Sequence, residues 1–169
     1  MGRELDGIDR MIEAWRHALP GLDPSPLGLV GRVIVLAQYL EKSINEALAV
    51  HDLTLGQFDI LATLRRHGPK GGLAPGQLLG NVMLSSGGMT ARLTRLEHDG
   101  LIRRLPDPTD RRGVVVELTL KGRKRIESAA ATRFEEAASS LPPLSGPERS
   151  VLAELLGRWL TAVESDRSS

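Results

Sequence analysis

The 169-residue chain carries 22 Lys or Arg against 21 Asp or Glu and has no cysteine. That length suits one domain with its own core, and the missing thiols exclude disulfides, thiol redox sensing and cysteine metal sites. The near-zero net charge hides a division: Ser85 to Arg125 holds ten basic residues against five acidic ones while the remainder is net acidic, which suits a face that meets phosphate and equally a solvated basic face with no partner.

Aromatic residues are only 3% of the chain, so the core has to come from Leu, Val, Ile and Ala, which leans helical. No apolar run approaches the roughly 20 residues needed to cross a bilayer. Glu4, Asp6 and Asp9 do not suit a signal peptide's basic start, so a cytoplasmic protein without membrane contact is expected. Four scattered histidines lack ligand spacing; no metal and no cofactor are expected.

In chain order, Leu5, Ile8, Ile12 and Trp15 predict a helix over Arg3 to Ala18, ended by Pro20 and Gly21. A longer helix is predicted from Leu27 to His51, with Val30, Ile34, Leu40, Ile44 and Leu48 at helical intervals. Thr54 with Gln57 has the capping-box arrangement and opens a third helix, Leu55 to Arg66. Pro75 suits a first turn, so Ala74 to Leu79 reads as a short helix. Ser85 caps a further one ending at Gly100. Helix, tight turn and helix make a helix-turn-helix.

The pattern then changes. Leu101 to Leu105 and Val114 to Leu118 predict two short strands around the charged, turn-rich loop from Pro106 to Gly113, which makes a wing. Lys121 to Ser140 returns to helix with Ile126, Ala130 and Phe134 inward. Ser145 with Glu148 offers another capping box before Val151, Leu152, Leu155, Leu156, Trp159 and Leu160. The terminal helices carry more apolar surface than one small winged unit buries, so a twofold homodimer is expected.

On the Ser85 to Asp99 helix, Met89, Leu93 and Leu96 cluster toward the core. Thr90, Ala91, Thr94, Arg95 and His98 are left for the other side. Ser85 and Ser86 in the first turn suit phosphate and base edges, and Arg95 suits phosphate or a guanine edge. An amphipathic helix with a merely wet outer face would share this pattern. The wing favours DNA, because Arg111 and Arg112 at its tip suit a narrow minor groove, with Asp110 placed to orient an arginine.

The stretch Leu53 to Gly122 resembles the MarR family of winged-helix regulators. The matching residues are Leu96-Glu97, Gly100-Leu101-Ile102, Arg104, then Asp110-Arg111-Arg112, then Leu118-Thr119 and Gly122. The resemblance implies a mainly α fold with a small antiparallel β wing, a winged helix-turn-helix on a helical dimerisation frame. Residues 1–169 would form one such domain, with 53–120 the DNA-binding part and 1–52 and 121–169 the dimerisation helices. It also implies a homodimer on double-stranded DNA, usually a repressor on a pseudo-palindromic operator, with Arg112 entering the minor groove. Gly87 and Gly88 depart from the commoner polar pair there, which thins base readout in the first turn.

Three charges fit a pure DNA binder poorly. Asp59 lies beside an apolar stripe, Arg92 is turned toward the core side of its helix, and Arg104 lies on the first wing strand. With Trp15 as a flat wall, an acid and two arginines suit a planar anion; they equally suit a structural ion-pair cluster. The set is similar to the urate-responsive branch of the MarR family, where a Trp, an Asp and two Arg form the effector pocket. That implies a small anionic effector, a urate- or xanthine-like purine or a tricarboxylate. An effector-independent DNA-binding or protein-interaction module is the alternative. No nucleophile-base pair, phosphate loop or dinucleotide fingerprint points to an enzyme.

Overall fold

The computed structural model describes residues 4–67, 72–81, 88–108, 110 and 113–166. Two bodies divide the chain, Met1–Glu136 and Ala137–Ser169. In the first, helices α1 (Gly7–Ala18) and α2 (Leu27–Leu48) precede α3 (Leu55–Arg66), α4 (Pro75–Asn81) and α5 (Met89–His98). Strands β1 (Ile102–Pro106) and β2 (Val114–Leu118) follow, then α6 (Leu120–Ser139), whose last residues lie in the second body with α7 (Gly146–Asp166). The expected fold class, helices with a two-stranded antiparallel wing, is what the chain adopts.

Local chemistry accounts for the helix starts. The Asp6 carboxylate accepts from the amides of Ile8 and Asp9, and Asp9 Oδ2 accepts in return from the Asp6 amide. This reciprocal cap begins α1 at Gly7 rather than at Arg3, which lies outside the described residues. Thr54 and Gln57 form the expected capping box at α3, and Ser145 and Glu148 satisfy each other's amides at α7. Helix α2 stops at Leu48 and tightens to a 3-10 turn over Ala49–His51.

Helix α5 departs from expectation at its start. Gly88 has φ +78°, in the left-handed region, so α5 opens at Met89 instead of running through from Ser85. The amides exposed at its first turn are therefore those after Gly88.

One buried cluster joins Ile44 and Leu48 of α2 to Ile60, Leu61 and Leu64 of α3, Leu93 and Leu96 of α5, Ile102 and Val116 of the strands, and Ile126 and Ala129 of α6. The cluster thus reaches past residues 53 and 120 in both directions. Burial of a Leu or Ile side chain stabilises by roughly 1.5–3 kcal/mol, so this shared core ties the wing, the helix-turn-helix and the adjoining helices together.

The strands pair from Ile102↔Leu118 to Pro106↔Val114, and Leu73 adds one bridge to Val116 on the other side of β2. The wing joins α6 at a very close contact. Thr119 donates its amide to Leu101 O at 3.0 Å and its hydroxyl to Gly100 O at 2.7 Å, and its Oγ1 accepts from the Gly122 amide. A Cβ on Gly122 would lie 1.8 Å from Leu101 O, so only glycine lets α6 approach.

Two inward assignments on α6 need correction. Ala130 is only partly buried and Phe134 is 71% exposed in the chain. The inner stripe is Gly122, Ile126, Ala129 and Glu136, and Phe134 lies about 120° around the helix from its centre. Glu136 is buried because Ser43 Oγ and Arg133 Nη1 both donate to it at 2.8 Å.

Helix α1 packs antiparallel on the first half of α2: Ile8 lies against Gly31 and Ile12 against Gly28. Arg32 of α2 donates to Asp6 and Asp9 at 2.8 and 2.6 Å. Away from that clasp Leu27, Leu29, Val30, Ile34, Val35, Leu36, Tyr39 and Leu40 of α2 are exposed and Val33 is partly buried. In the second body no residue of α7 is buried. Among the described residues, no helix is long and apolar enough to cross a membrane.

Candidate functional site

Helix α5 presents two faces of opposite character. Met89, Leu93 and Leu96 are buried, as the spacing predicts, while Thr90, Ala91, Thr94, Arg95 and His98 are exposed. Small and hydroxyl side chains dominate the outer face, which keeps the helix backbone accessible to a close partner. Ser85, Ser86, Arg111 and Arg112 lie outside the described residues.

Arg95 is not an isolated cation. Its Nε donates to Asp99 Oδ2 at 3.0 Å, one turn along the helix, and His98 Nδ1 lies 3.2 Å from Asp99 Oδ1. Hydrogen bonding with His98, together with the charge and hydrogen bond of Arg95, holds the Asp99 carboxyl below the ordinary carboxylate range. Asp99 thus keeps Arg95 aligned, and a phosphate would take over that partner. The i, i+4 spacing of Arg95 and Asp99 is present in the sequence, and the pair it makes on this face was not foreseen.

The wing loop is folded on its own polar groups. Asp107 Oδ1 accepts from the Asp110 amide, the Gly113 amide donates to Asp110 O, and the Asp107 amide donates to Gly113 O. Asp110 therefore helps shape the loop through its backbone.

The four residues expected to form an effector pocket occupy three settings. Asp59 is 4% exposed on α3. The half-buried Arg92 side chain reaches from α5 to the start of α3, where a Cβ on Gly56 would lie 2.6 Å from Arg92 Nε. Gly56 and Asp59 are three residues apart on α3 and share a helix face.

Arg104 is engaged elsewhere. Its Nε lies 3.5 Å from Glu97 Oε2, and its amide donates to Glu97 Oε1 at 3.3 Å. Glu97 was read from sequence only as a motif residue, and no periodicity links positions seven apart across a helix-strand turn. Trp15 is 46% exposed and lines an apolar hollow of about 410 Å³ with Leu19, Leu22, Pro24, Pro26 and Leu27. Asp59, Arg92 and Arg104 do not line that hollow. Among the described residues no cluster of three or more His, Cys, Asp or Glu is placed to hold a metal ion.

Comparison with known proteins fits this arrangement. The profile of the MarR family matches residues 53–114. The chain is 34% identical to the HTH-type transcriptional regulator PecS of Dickeya dadantii, over 94% of this chain and 95% of that protein. It is 35% identical to the multiple antibiotic resistance protein MarR of Escherichia coli over 55% of this chain and 63% of that one. A solved structure of a cysteine-to-serine variant of E. coli MarR in complex with operator DNA superposes with a TM-score of 0.70 at 27% identity, covering 86% of this chain and 97% of that one. With the exposed helix α5 beside a two-stranded wing, these likenesses identify the chain as a member of the MarR family of DNA-binding transcriptional regulators.

Proposed function

We propose that the chain is a ligand-released repressor that binds a pseudo-palindromic operator as a homodimer in the cytoplasm. Helix α5 reads the major groove with Thr90, Ala91, Thr94 and Arg95, helped by Ser85 and Ser86. Arg111 and Arg112, with Asp110 in the same loop, serve the adjoining minor groove. Residues 53–120 are the reading part, and the helices before and after it are the dimerisation frame. Half-sites about one helical turn of DNA apart suit such a dimer.

The observation that carries ligand release is the placement of Arg92, which extends from the helix that reads DNA onto the α3 surface holding buried Asp59. A small planar anion such as urate or xanthine, or a tricarboxylate, would pair with Arg92 and Arg104 and be repelled by Asp59. Because Arg92 moves with α5, that pairing favours one position of the reading helix over another. A differential affinity of about 1–3 kcal/mol between the two positions is enough for release. Arg104 holds Glu97, so an anion that engages it exchanges one carboxylate for another.

The test is binding to the gene's own upstream DNA, titrated with urate at fixed salt, because phosphate contacts make affinity steeply salt-dependent. Release by urate supports a purine-type effector; retained binding with release by citrate or aconitate transfers the role to tricarboxylates. Asp59→Ala should keep the fold and DNA affinity but blunt release, and a full response in that variant would reduce the cluster to a structural one. Arg112→Ala should weaken operator binding by about 1–3 kcal/mol; unchanged affinity would remove the wing from DNA recognition.

A further inference from the structure

We propose that the base of the wing carries an anion site of its own, sized for a small free oxyanion such as inorganic phosphate. It shares no residue with the Trp15, Asp59, Arg92 and Arg104 set and stands whether or not that set takes an effector.

A polar recess of about 130 Å³ lies where the end of α3, the two strands and the start of α6 come together. His67, Gly72, Arg103, Glu117 and Arg123 line it, together with leucines. Pockets that enclose an organic ligand run to roughly 300–1,000 Å³, so this one suits a small polyatomic ion instead.

The close contact between wing and α6 is what brings its two arginines together. Arg123 follows Gly122, whose backbone meets Leu101 O, and Arg103 lies two residues beyond Leu101 on β1. One guanidinium thus comes from the sheet and one from the helix.

Their circumstances differ. Arg103 Nη2 donates to Glu117 Oε2 at 3.0 Å, across the strand register that sets the two residues opposite each other. The Arg123 side chain is half-buried and, among the described residues, makes no hydrogen bond or ion pair. By contrast, half-buried Arg32 holds Asp6 and Asp9, and half-buried Arg125 reaches Asp52. His67 donates Nδ1–H to Thr63 O at 3.1 Å, since a carbonyl only accepts. Glu117 is the one carboxylate among the described lining residues, and Arg103 already neutralises it.

The recess therefore keeps the charge of Arg123 uncompensated. A guanidinium partly withdrawn from water gains from an anionic partner, and its planar fork of donors matches the oxygens of a phosphate. A metal cation would be repelled, and a neutral ligand would leave the charge unanswered. An oxyanion held by Arg123 also comes within the recess that Arg103 lines, and so ties β1 to α6. No lining residue belongs to α5, which assigns the site to an anion from solution and not to the DNA that α5 reads.

The full chain in phosphate-free buffer is titrated with sodium phosphate by calorimetry at constant ionic strength, with sodium chloride as the matched control. Saturable binding in the low-millimolar range is expected, and Arg123→Gln should weaken it about tenfold or more. Arg158→Gln, which removes an exposed arginine of α7, should bind as the wild type does. Glu117→Gln removes the carboxylate and keeps a hydrogen-bond acceptor for Arg103, so it should tighten binding several-fold. That gain cannot come from a variant that merely unfolds. Heat no different from chloride, or binding indifferent to both Arg123→Gln and Glu117→Gln, would overturn the site. Phosphate binding should also persist when the upstream DNA is bound. Displacement of phosphate by that DNA, with weaker DNA binding by Arg123→Gln in phosphate-free buffer, would make the occupant a backbone phosphate and overturn the free-anion assignment.

Discussion

The α1–α2 hairpin and the wing region are built from similar residues and finish in opposite states. Around β1 and β2 the apolar side chains of α3, α5 and α6 meet one another, and Leu61, Leu96 and Val116 are fully enclosed. Along α2 most apolar residues between Leu27 and Leu40 stay open, and α1 covers one side of it by an ion-pair clasp and two isoleucines. The wing region satisfies its own chain, whereas the hairpin leaves an apolar surface open within its own body. Substitutions in the two regions should therefore separate folding from the association proposed above.

The largest effect is expected at the junction of wing and α6. Gly122→Val must displace the Leu101 carbonyl, against which even a Cβ would lie 1.8 Å away, and should lose about 3 kcal/mol in urea denaturation. Gly157→Ala, with open space around its Cβ position, is the matched control and should be neutral or slightly stabilising. A Gly122 variant as stable as the wild type would show that wing and α6 are not locked together.

A smaller, differently placed effect belongs to the hairpin. Leu36→Glu puts a charge in the middle of the open stretch and should leave helix content unchanged while raising the dimer dissociation constant at least tenfold, about 1.4 kcal/mol, by sedimentation. Unchanged association would mean that the dimer forms through other helices. Loss of fold instead would erase the contrast between the two regions.

The smallest effect concerns the clasp. The Asp6 carboxyl is held below its ordinary value by the Asp9 amide, with Arg32 next. A carboxylate with a depressed folded pKa lends stability that is complete above its unfolded pKa and is lost as pH falls through the folded value. The Asp9 amide resonance should therefore keep its capped position through the ordinary carboxylate range and move only at lower pH. Movement within that range would show that the clasp does not hold Asp6 ionised.

What the sequence disclosed was whatever acts over a few residues. Thr54 with Gln57 and Ser145 with Glu148 mark their helix starts, and Met89, Leu93 and Leu96 mark the inner face of α5, because caps and helical faces are short-range. What it concealed was decided by partners distant in the chain. Phe134 follows an apolar rhythm yet points outward, since Ser43, ninety-three residues earlier, draws Glu136 into the inner stripe. Arg104 reads from sequence as a ligand arginine, and its partner Glu97, seven residues away across a turn, was not foreseen. Gly88 reads as part of a helix because composition does not report a left-handed φ. The candidate effector set was legible as residue types, and its spread over three settings was not.

The contact at Leu101 also sets the kinematics of the molecule. A carbonyl met at zero clearance by the α6 backbone and gripped by Thr119 from β2's end leaves no slack between wing and α6, so those parts travel as one stiff piece. The other end of α5 is built differently: the helix begins at the left-handed Gly88 and rests on α3 through the Arg92 side chain.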